Sequence, residues 1–264
     1  MRDAVIKKYK FARVTSDILS AYSRDDGNTR VAAITYYGFL ALLPGLLAVL
    51  SIFDLFFQHD PHLRNRLIHS TLATIPVVGP SLQGKISFVK SHGITLVITL
   101  FTLAWASRGG AVALQDSLCD IYQFDQSSRS FFSRIKRAYT ALILIGIGVF
   151  VPTIIGSLTV PVLLRIVAII CTIGWNIGLL WLIYRVLTDA RMSLFKGAVV
   201  GGVLLSVIQL LGAFLVRHAL TKSQPLYGTL ALALALMLWI SLQTRAVLLG
   251  AESNKVLTKR NAHK

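Results

Sequence analysis

The chain has 264 residues, of which 55% are hydrophobic and 14% are charged, and its mean hydropathy is +0.67. A water-soluble domain usually has about 25% charged residues, so these values exclude an ordinary soluble domain and favour a surface that faces lipid. The net charge of +16 could indicate nucleic-acid binding. However, the Lys and Arg residues lie in short segments between apolar stretches, not in one patch, so we expect no nucleic-acid partner.

The first segment, residues 1–30, is basic, and residues 4–22 place apolar or aromatic side chains about four positions apart among Lys and Arg. This spacing predicts an amphipathic helix. The helix either lies on the inner membrane surface or packs against the base of the protein's own bundle.

Six apolar stretches are long enough to cross a bilayer, which takes about 20 residues of helix. Helix is expected in all of them, because unpaired backbone groups are costly in lipid. The sequence therefore predicts an all-α, polytopic membrane helix bundle, with a six-helix transmembrane domain over residues 31–250. The predicted spans lie near residues 32–55, 94–112, 138–157, 163–184, 197–216 and 227–246.

The longest connection, residues 58–93, should form an external cap. Two apolar clusters flank the prolines Pro76 and Pro80, and unstructured loops of this length are uncommon. We therefore expect two short external helices. The histidines of this segment (His59, His62, His69 and His92) are interpreted as solvated loop residues, with neither a metal nor another cofactor expected.

The orientation follows from the basic residues. Of the 27 Lys and Arg residues, 20 lie before span one, after span six, in the connections after spans two and four, or in the ends of spans two and six that face these segments. Such residues collect on the cytoplasmic side. We therefore expect a bacterial plasma (inner) membrane protein with both termini cytoplasmic, including a basic tail over residues 251–264.

Four residues inside the spans could shape or line a path. Asn176 and Gln209 lie mid-span, where each either bonds neighbouring helices together or lines a polar translocation path. Pro44 and Pro152 cannot donate a backbone hydrogen bond, so each should kink its helix.

Seven residues near the cytoplasmic ends of the spans could bind an anionic phospholipid headgroup. Arg clusters between helices suit phosphate, although the same residue types also form the ordinary positive belt with interfacial Tyr. The residues are Tyr36, Tyr37, Arg108, Arg185, Gln243, Arg245 and Glu252.

Enzyme signals are weak. The sequence has no HExxH, GxxxxGK[ST], GxSxG or CxxC motif, and its carboxylates do not form the set that a metal-dependent nuclease needs. We therefore expect no enzyme activity.

Three segments together resemble the YihY/BrkB family, in order along nearly the whole chain. Residues 30–44 contain the family's paired Tyr and its Pro, residues 181–191 resemble its Tyr-Arg-x-x-Pro-Asp-x-Arg segment, and residues 226–252 match its last helix. Thr188 departs from the expected Pro. The external segment looks closest to the YhjD-like branch.

The resemblance implies an all-helical bacterial plasma-membrane protein with a role in transport or envelope integrity. Our leading hypothesis is a transporter or lipid-handling protein whose partners are membrane lipids. The alternative is a non-transporting scaffold for envelope partners. The family's old label, ribonuclease BN, has no support in the residues.

Overall fold

The computed structural model describes residues 2–56, 62, 93–124, 130–157, 162–188, 193–219 and 228–262. No strand occurs among these residues, so the prediction of an all-α protein is confirmed. In chain order the described helices are α1 (Arg2–Arg24), α2 (Gly27–Phe56), α3 (Gly93–Ile121), α4 (Phe131–Ser157), α5 (Val162–Leu187), α6 (Phe195–Ala219) and α7 (Gly228–Ala262).

Each of the six predicted spans falls within one of the helices α2 to α7, apart from the first residue of the last span. Within the described part of the chain, α3, α5, α6 and α7 are each long and apolar enough to cross a membrane. The helices continue beyond the predicted spans, most clearly α7, which runs on to Ala262. The predicted cap over residues 58–93 lies outside the described residues, except for His62 and Gly93.

The helices α2 to α7 form a closed ring, in which each packs against the next along the chain and α7 packs against α2. Helix α3 also contacts α5 and α7 across the bundle. Consecutive helices are antiparallel, because the chain crosses the bundle once in each helix. The starts of α2, α4 and α6 therefore meet the ends of α3, α5 and α7. We call this the basic end, and it comprises residues 21–37, 108–124, 131–138, 181–188, 194–198 and 243–258.

The hydrophobic core of the described residues lies at the basic end. Leu118, Tyr184, Leu187 and Leu248 are completely buried there, contributed by α3, α5 and α7. Burying one such side chain contributes about 1.5–3 kcal/mol. Toward the middle of the bundle, large apolar side chains such as Phe101 and Trp105 are exposed, as expected of a lipid-facing surface.

Helix α1 packs against α7 at this end. Ala21 and Tyr22, in its last turn, are buried, whereas residues 12–20 are mostly exposed. The last turn of α1 therefore packs against the bundle, which is one of the two arrangements expected for the amphipathic N-terminal helix.

Two glycines allow α5, α6 and α7 to approach closely. A Cβ on Gly250 would lie 2.6 Å from Tyr184 Oη and 2.8 Å from both Gly197 O and Gly201 Cα. A Cβ on Gly202 would lie 2.8 Å from the backbone of Ile177. Small residues at helix contacts are typical of membrane bundles, because they bring backbones together.

The helices α2 and α4 run through Pro44 and Pro152 without ending there. The kinks expected at these two prolines remain predictions.

Candidate functional site

The three arginines predicted for headgroup binding, Arg108, Arg185 and Arg245, are all exposed. Within the described residues, none of the three is in an ion pair. Arg30 and Arg134, by contrast, are each paired with a carboxylate. The exposed arginines are therefore cations whose charge is available to a ligand.

Arg185 lies in the last turn of α5 beside an aromatic ring. Its guanidinium carbon is 5.7 Å from the ring centroid of Trp181, a geometry at which the ring attracts the cation. From the neighbouring helix α4, Arg137 donates a hydrogen bond of 3.3 Å to the carbonyl of Val186. Two guanidinium groups therefore reach the end of α5.

Arg108 lies beside the tyrosine pair of α2. The ring of Tyr37 packs against Gly109 and its Cβ against Gly110, the two residues after Arg108. The Tyr36 ring meets the Tyr37 ring edge-on at 5.3 Å, and Tyr36 is 53% exposed. The structure therefore places these two tyrosines of α2 against the turn of α3 that begins at Arg108.

Arg245 has a different neighbour, Tyr22 of α1. Burial raises the pKa of Tyr22, and the positive charge of Arg245 partly opposes this rise. Gln243 is half-buried near Arg245 on the same helix. The predicted residues are thus distributed over separate positions of the basic end, and their binding to lipid remains a prediction.

In the described part of the chain, three ion pairs hold the basic end together. Lys255 Nζ lies 2.5 Å from Asp25 Oδ2 and joins α7 to the turn between α1 and α2. Arg30 joins α2 to α3 through Asp120 at 2.9 Å. The third pair joins α4 to α3, where Arg134 contacts both carboxylate oxygens of Asp116.

Unlike the arginines, Glu252 is buried in the interior of the basic end, with 1% of its surface exposed. Its carboxyl group lies close enough to that of Asp25 for each to influence the pKa of the other. Partial burial acts to raise the pKa of Asp25. The hydrogen bond from Lys255, the nearby Glu252 carboxyl and the positive charges of Lys255 and Arg24 outweigh burial and lower that pKa.

A pair of buried tyrosines lies next to Glu252. Burial raises the pKa of Tyr122, whose hydroxyl lies near Asn254 and Glu252. Its ring meets that of Tyr184 edge-on at 6.3 Å. Tyr184 donates a 2.6 Å hydrogen bond to the carbonyl of Val247, and this bond ties α5 to α7.

Asn254 caps another helix. Its side-chain oxygen accepts a 3.1 Å hydrogen bond from the backbone N–H of Gly197, in the first turn of α6. The first N–H groups of a helix have no partner within the helix, so Asn254 satisfies one of them from α7.

Asn176 and Gln209 are brought together, as a shared role would require. The Asn176 Nδ2 donates to Ser206 Oγ at 2.8 Å and to Gln209 Oε1 at 3.0 Å. These bonds join α5 to α6 in the middle of the bundle. A role for the pair in a translocation path remains a prediction.

The sequence analysis did not single out Asp25, Tyr122, Tyr184 or Asn254. Tyr184 was visible only as part of a family-like segment. The other three lie at or beyond span ends, where a polar residue gives no signal of its own. Within the described ranges, no three His, Cys, Asp or Glu side chains are grouped so that they could hold a metal ion.

Comparison with curated proteins and with solved structures finds no match. The model of one protein family, virulence factor BrkB, matches residues 18–264, which is nearly the whole chain. The match covers the helices α2 to α7 and includes every residue of the candidate site. This chain is therefore an integral membrane protein that belongs to the virulence factor BrkB (YihY/BrkB) family.

Proposed function

We propose that this protein handles anionic phospholipid in the bacterial plasma membrane and binds the headgroups at its basic end. The observation that carries the proposal is the contrast between its arginines. Arg30 and Arg134 neutralise carboxylates, whereas Arg108, Arg185 and Arg245 are exposed and, in the described structure, have no carboxylate partner.

The position of these arginines suits a headgroup. Arg185 follows the exposed Leu182 on α5, and Arg245 follows the exposed Leu238 and Leu242 on α7. Each cation therefore lies at the edge of an apolar, lipid-facing surface, which is the depth at which phosphate groups lie. A guanidinium binds phosphate through two parallel hydrogen bonds, and basic pockets between transmembrane helices bind anionic headgroups.

The proposal includes an orientation, with the basic end facing the cytoplasm. The contact between Asp25 and Lys255 brings the turn before α2 to the last turns of α7, so the two ends of the bundle's chain lie on one side. The cytoplasmic leaflet carries anionic lipid, and cytoplasmic segments carry the excess of Lys and Arg.

Movement of the lipid between leaflets would use the middle of the ring. Asn176 and Gln209 are the polar pair proposed to line that route. Their hydrogen bond joins α5 and α6, so exchange of this bond for one to a passing headgroup would open the contact between the two helices.

Lipid binding is tested with purified protein in nanodiscs by measuring the thermal unfolding midpoint as phosphatidylglycerol replaces phosphatidylcholine. The wild type should gain stability from the anionic lipid, because a ligand that binds only the folded state stabilises it. The combined variant Arg108→Gln, Arg185→Gln and Arg245→Gln should bind about 100-fold more weakly, with each lost cation contributing roughly equally.

A control removes one positive charge outside the proposed site. Arg13→Gln, on the exposed part of α1, should keep the wild-type response. Equal stabilisation of the wild type and the triple variant by phosphatidylglycerol would refute the proposed site.

A scaffold role is the second candidate, and one observation favours it. The face of α1 formed by Ala12, Ser16, Leu19 and Ser20 is exposed, with small side chains beside a single Leu. Such a face suits a partner helix. A stable protein partner that co-purifies through α1, together with an absence of any lipid response, would favour this role over lipid handling.

A further inference from the structure

The carboxyl group of Glu252 lies in an unusual place for an ionised group. Glu252 is almost completely buried, and neither carboxyl oxygen accepts a hydrogen bond from an N–H or O–H group of the described residues. A buried charge is costly unless it is paired and hydrogen-bonded. The neighbourhood therefore favours the neutral, protonated form of this side chain.

The carboxyl group of Asp25 lies close enough to Glu252 to interact with it, because Lys255, one turn beyond Glu252 on the helix, is bonded to Asp25. Two carboxylates in contact cannot both be ionised without strong repulsion. One proton removes the conflict, since the O–H of Glu252 can donate to the Asp25 carboxylate. Asp25 also accepts a hydrogen bond from Lys255, so it remains the ionised member.

From this geometry we propose that Glu252 is a proton-binding site that joins α7 to the turn between α1 and α2. With its proton, Glu252 donates to Asp25 and completes a chain of hydrogen bonds that ends at Lys255. When the proton leaves, Glu252 and Asp25 repel each other, and Lys255 must serve two carboxylates instead of one. Proton release therefore weakens the attachment of α1 to the bundle.

Among the described residues, the charged and titratable groups that face this site come from α1 and the turn after it, α3, α5 and α7. Arg30, from α2, is directed to Asp120 instead of to Glu252. Asn254 and the α6 backbone that it bonds carry no charge. The groups that face Glu252 are Arg24 of α1, Asp25 of the turn, Lys255 of α7 and Tyr122 at the end of α3, with Tyr184 of α5 behind Tyr122.

The charges around Glu252 also limit how firmly the proton is held. Arg24 and Lys255 favour the ionised form of Glu252, whereas burial and Asp25 favour the protonated form. Opposing influences of this kind allow a carboxyl group to exchange its proton near neutral pH. The inference goes beyond the proposed lipid function and does not depend on it.

The chain itself provides a clean probe, because Glu252 is its only glutamate. Protein made by cell-free synthesis with ¹³C-labelled glutamate and placed in nanodiscs gives one side-chain carboxyl signal, without any substitution. Its infrared band or ¹³C shift reports directly whether this carboxyl is protonated. We expect the protonated signal at mildly acidic pH and conversion to the ionised signal by mildly alkaline pH.

Two variants test the neighbours. Asp25→Asn removes the negative charge that favours the protonated form, so the titration midpoint should fall. Lys255→Ala removes a positive charge, so the midpoint should rise. The control Asp17→Asn, on the exposed part of α1, should leave the midpoint unchanged.

The mechanical consequence has its own readout. Spin labels on α1 and α7 should separate as the pH rises through the midpoint in the wild type, whereas Glu252→Gln, which mimics the protonated form, should hold one distance. An ionised Glu252 signal already present at mildly acidic pH would overturn the proposal. So would a signal that stays protonated into alkaline solution, or a midpoint insensitive to both variants.

Discussion

Replacing Gly250 with Ala should destabilise the bundle, because it adds one methyl group where three helices meet. The new Cβ would lie 2.6 Å from the hydroxyl of Tyr184 and 2.8 Å from the carbonyl oxygen of Gly197. The second of these atoms is backbone and cannot rotate away. The α6 and α7 backbones must therefore separate, and the Tyr184 hydroxyl must also shift from its hydrogen bond to Val247.

The magnitude follows from three contributions. Overpacking a well-filled core costs typically 1–3 kcal/mol, and loss of a buried hydrogen bond costs about 1 kcal/mol. Against these, Ala favours a helix over Gly by roughly 1 kcal/mol. The net expectation for Gly250→Ala is a loss of about 1–3 kcal/mol in the free energy of unfolding.

The matched control is Gly178→Ala on α5. A Cβ on Gly178 meets no other atom within 4 Å, so this variant has the helix-propensity gain without the clash. Reversible unfolding of both variants in mixed micelles, followed by circular dichroism, should place Gly250→Ala below the wild type and Gly178→Ala at or above it. Equal stability of the two variants would refute the close packing of α5, α6 and α7.

Four further substitutions test the bonds that join helices. Asn176→Ala removes the hydrogen bond to Ser206, so chemical unfolding should show a loss of about 0.6–2 kcal/mol in the free energy of unfolding. Ser206→Ala should lose no more than that. An unfolding curve that does not change would argue against the contact. Tyr184→Phe keeps the ring but loses the buried hydrogen bond to Val247, so the free energy of unfolding should fall by about 1 kcal/mol. A gain in stability would contradict a stabilising role for this hydrogen bond. The pKa of Asp25 is lowered in the fold, so its pairing with Lys255 contributes stability that is complete above the ordinary Asp pKa and is lost as the pH falls through the lowered value. Asp25→Asn should therefore lower the thermal midpoint at neutral pH and flatten its acid dependence, and an acid profile identical to that of the wild type would exclude this role.

The helices themselves could be predicted from the sequence, because apolar length alone specifies a membrane-spanning helix. The six spans each lie in a helix, apart from the first residue of the last span. The continuation of α7 to Ala262 could not be predicted, since residues 247–262 mix apolar and polar residues whose burial depends on α1, α5 and α6. Their pattern can be interpreted only when the positions of those helices are known.

The candidate site was predictable in part. Arg108, Arg185 and Arg245 could be identified because positive charge at the end of an apolar span is a strong signal in one dimension. The sequence could not predict that these arginines are separated around the bundle, because the order of helices in the ring depends on how the helices pack. Glu252 was grouped with Arg245 by its spacing of seven along the helix, yet the structure buries one and exposes the other. The difference arises because α1 and the turn at Asp25 cover Glu252.

The thermal and spectroscopic tests above concern binding and protonation, whereas lipid handling itself is tested by transfer between leaflets. The measurement is the loss of fluorescence of a headgroup-labelled phosphatidylglycerol in proteoliposomes after a membrane-impermeant reductant is added outside. The account predicts that wild-type protein exposes the label of both leaflets and that the triple variant of Arg108, Arg185 and Arg245 protects the inner leaflet. Protection of the inner leaflet by the wild-type protein, as in protein-free liposomes, would contradict it.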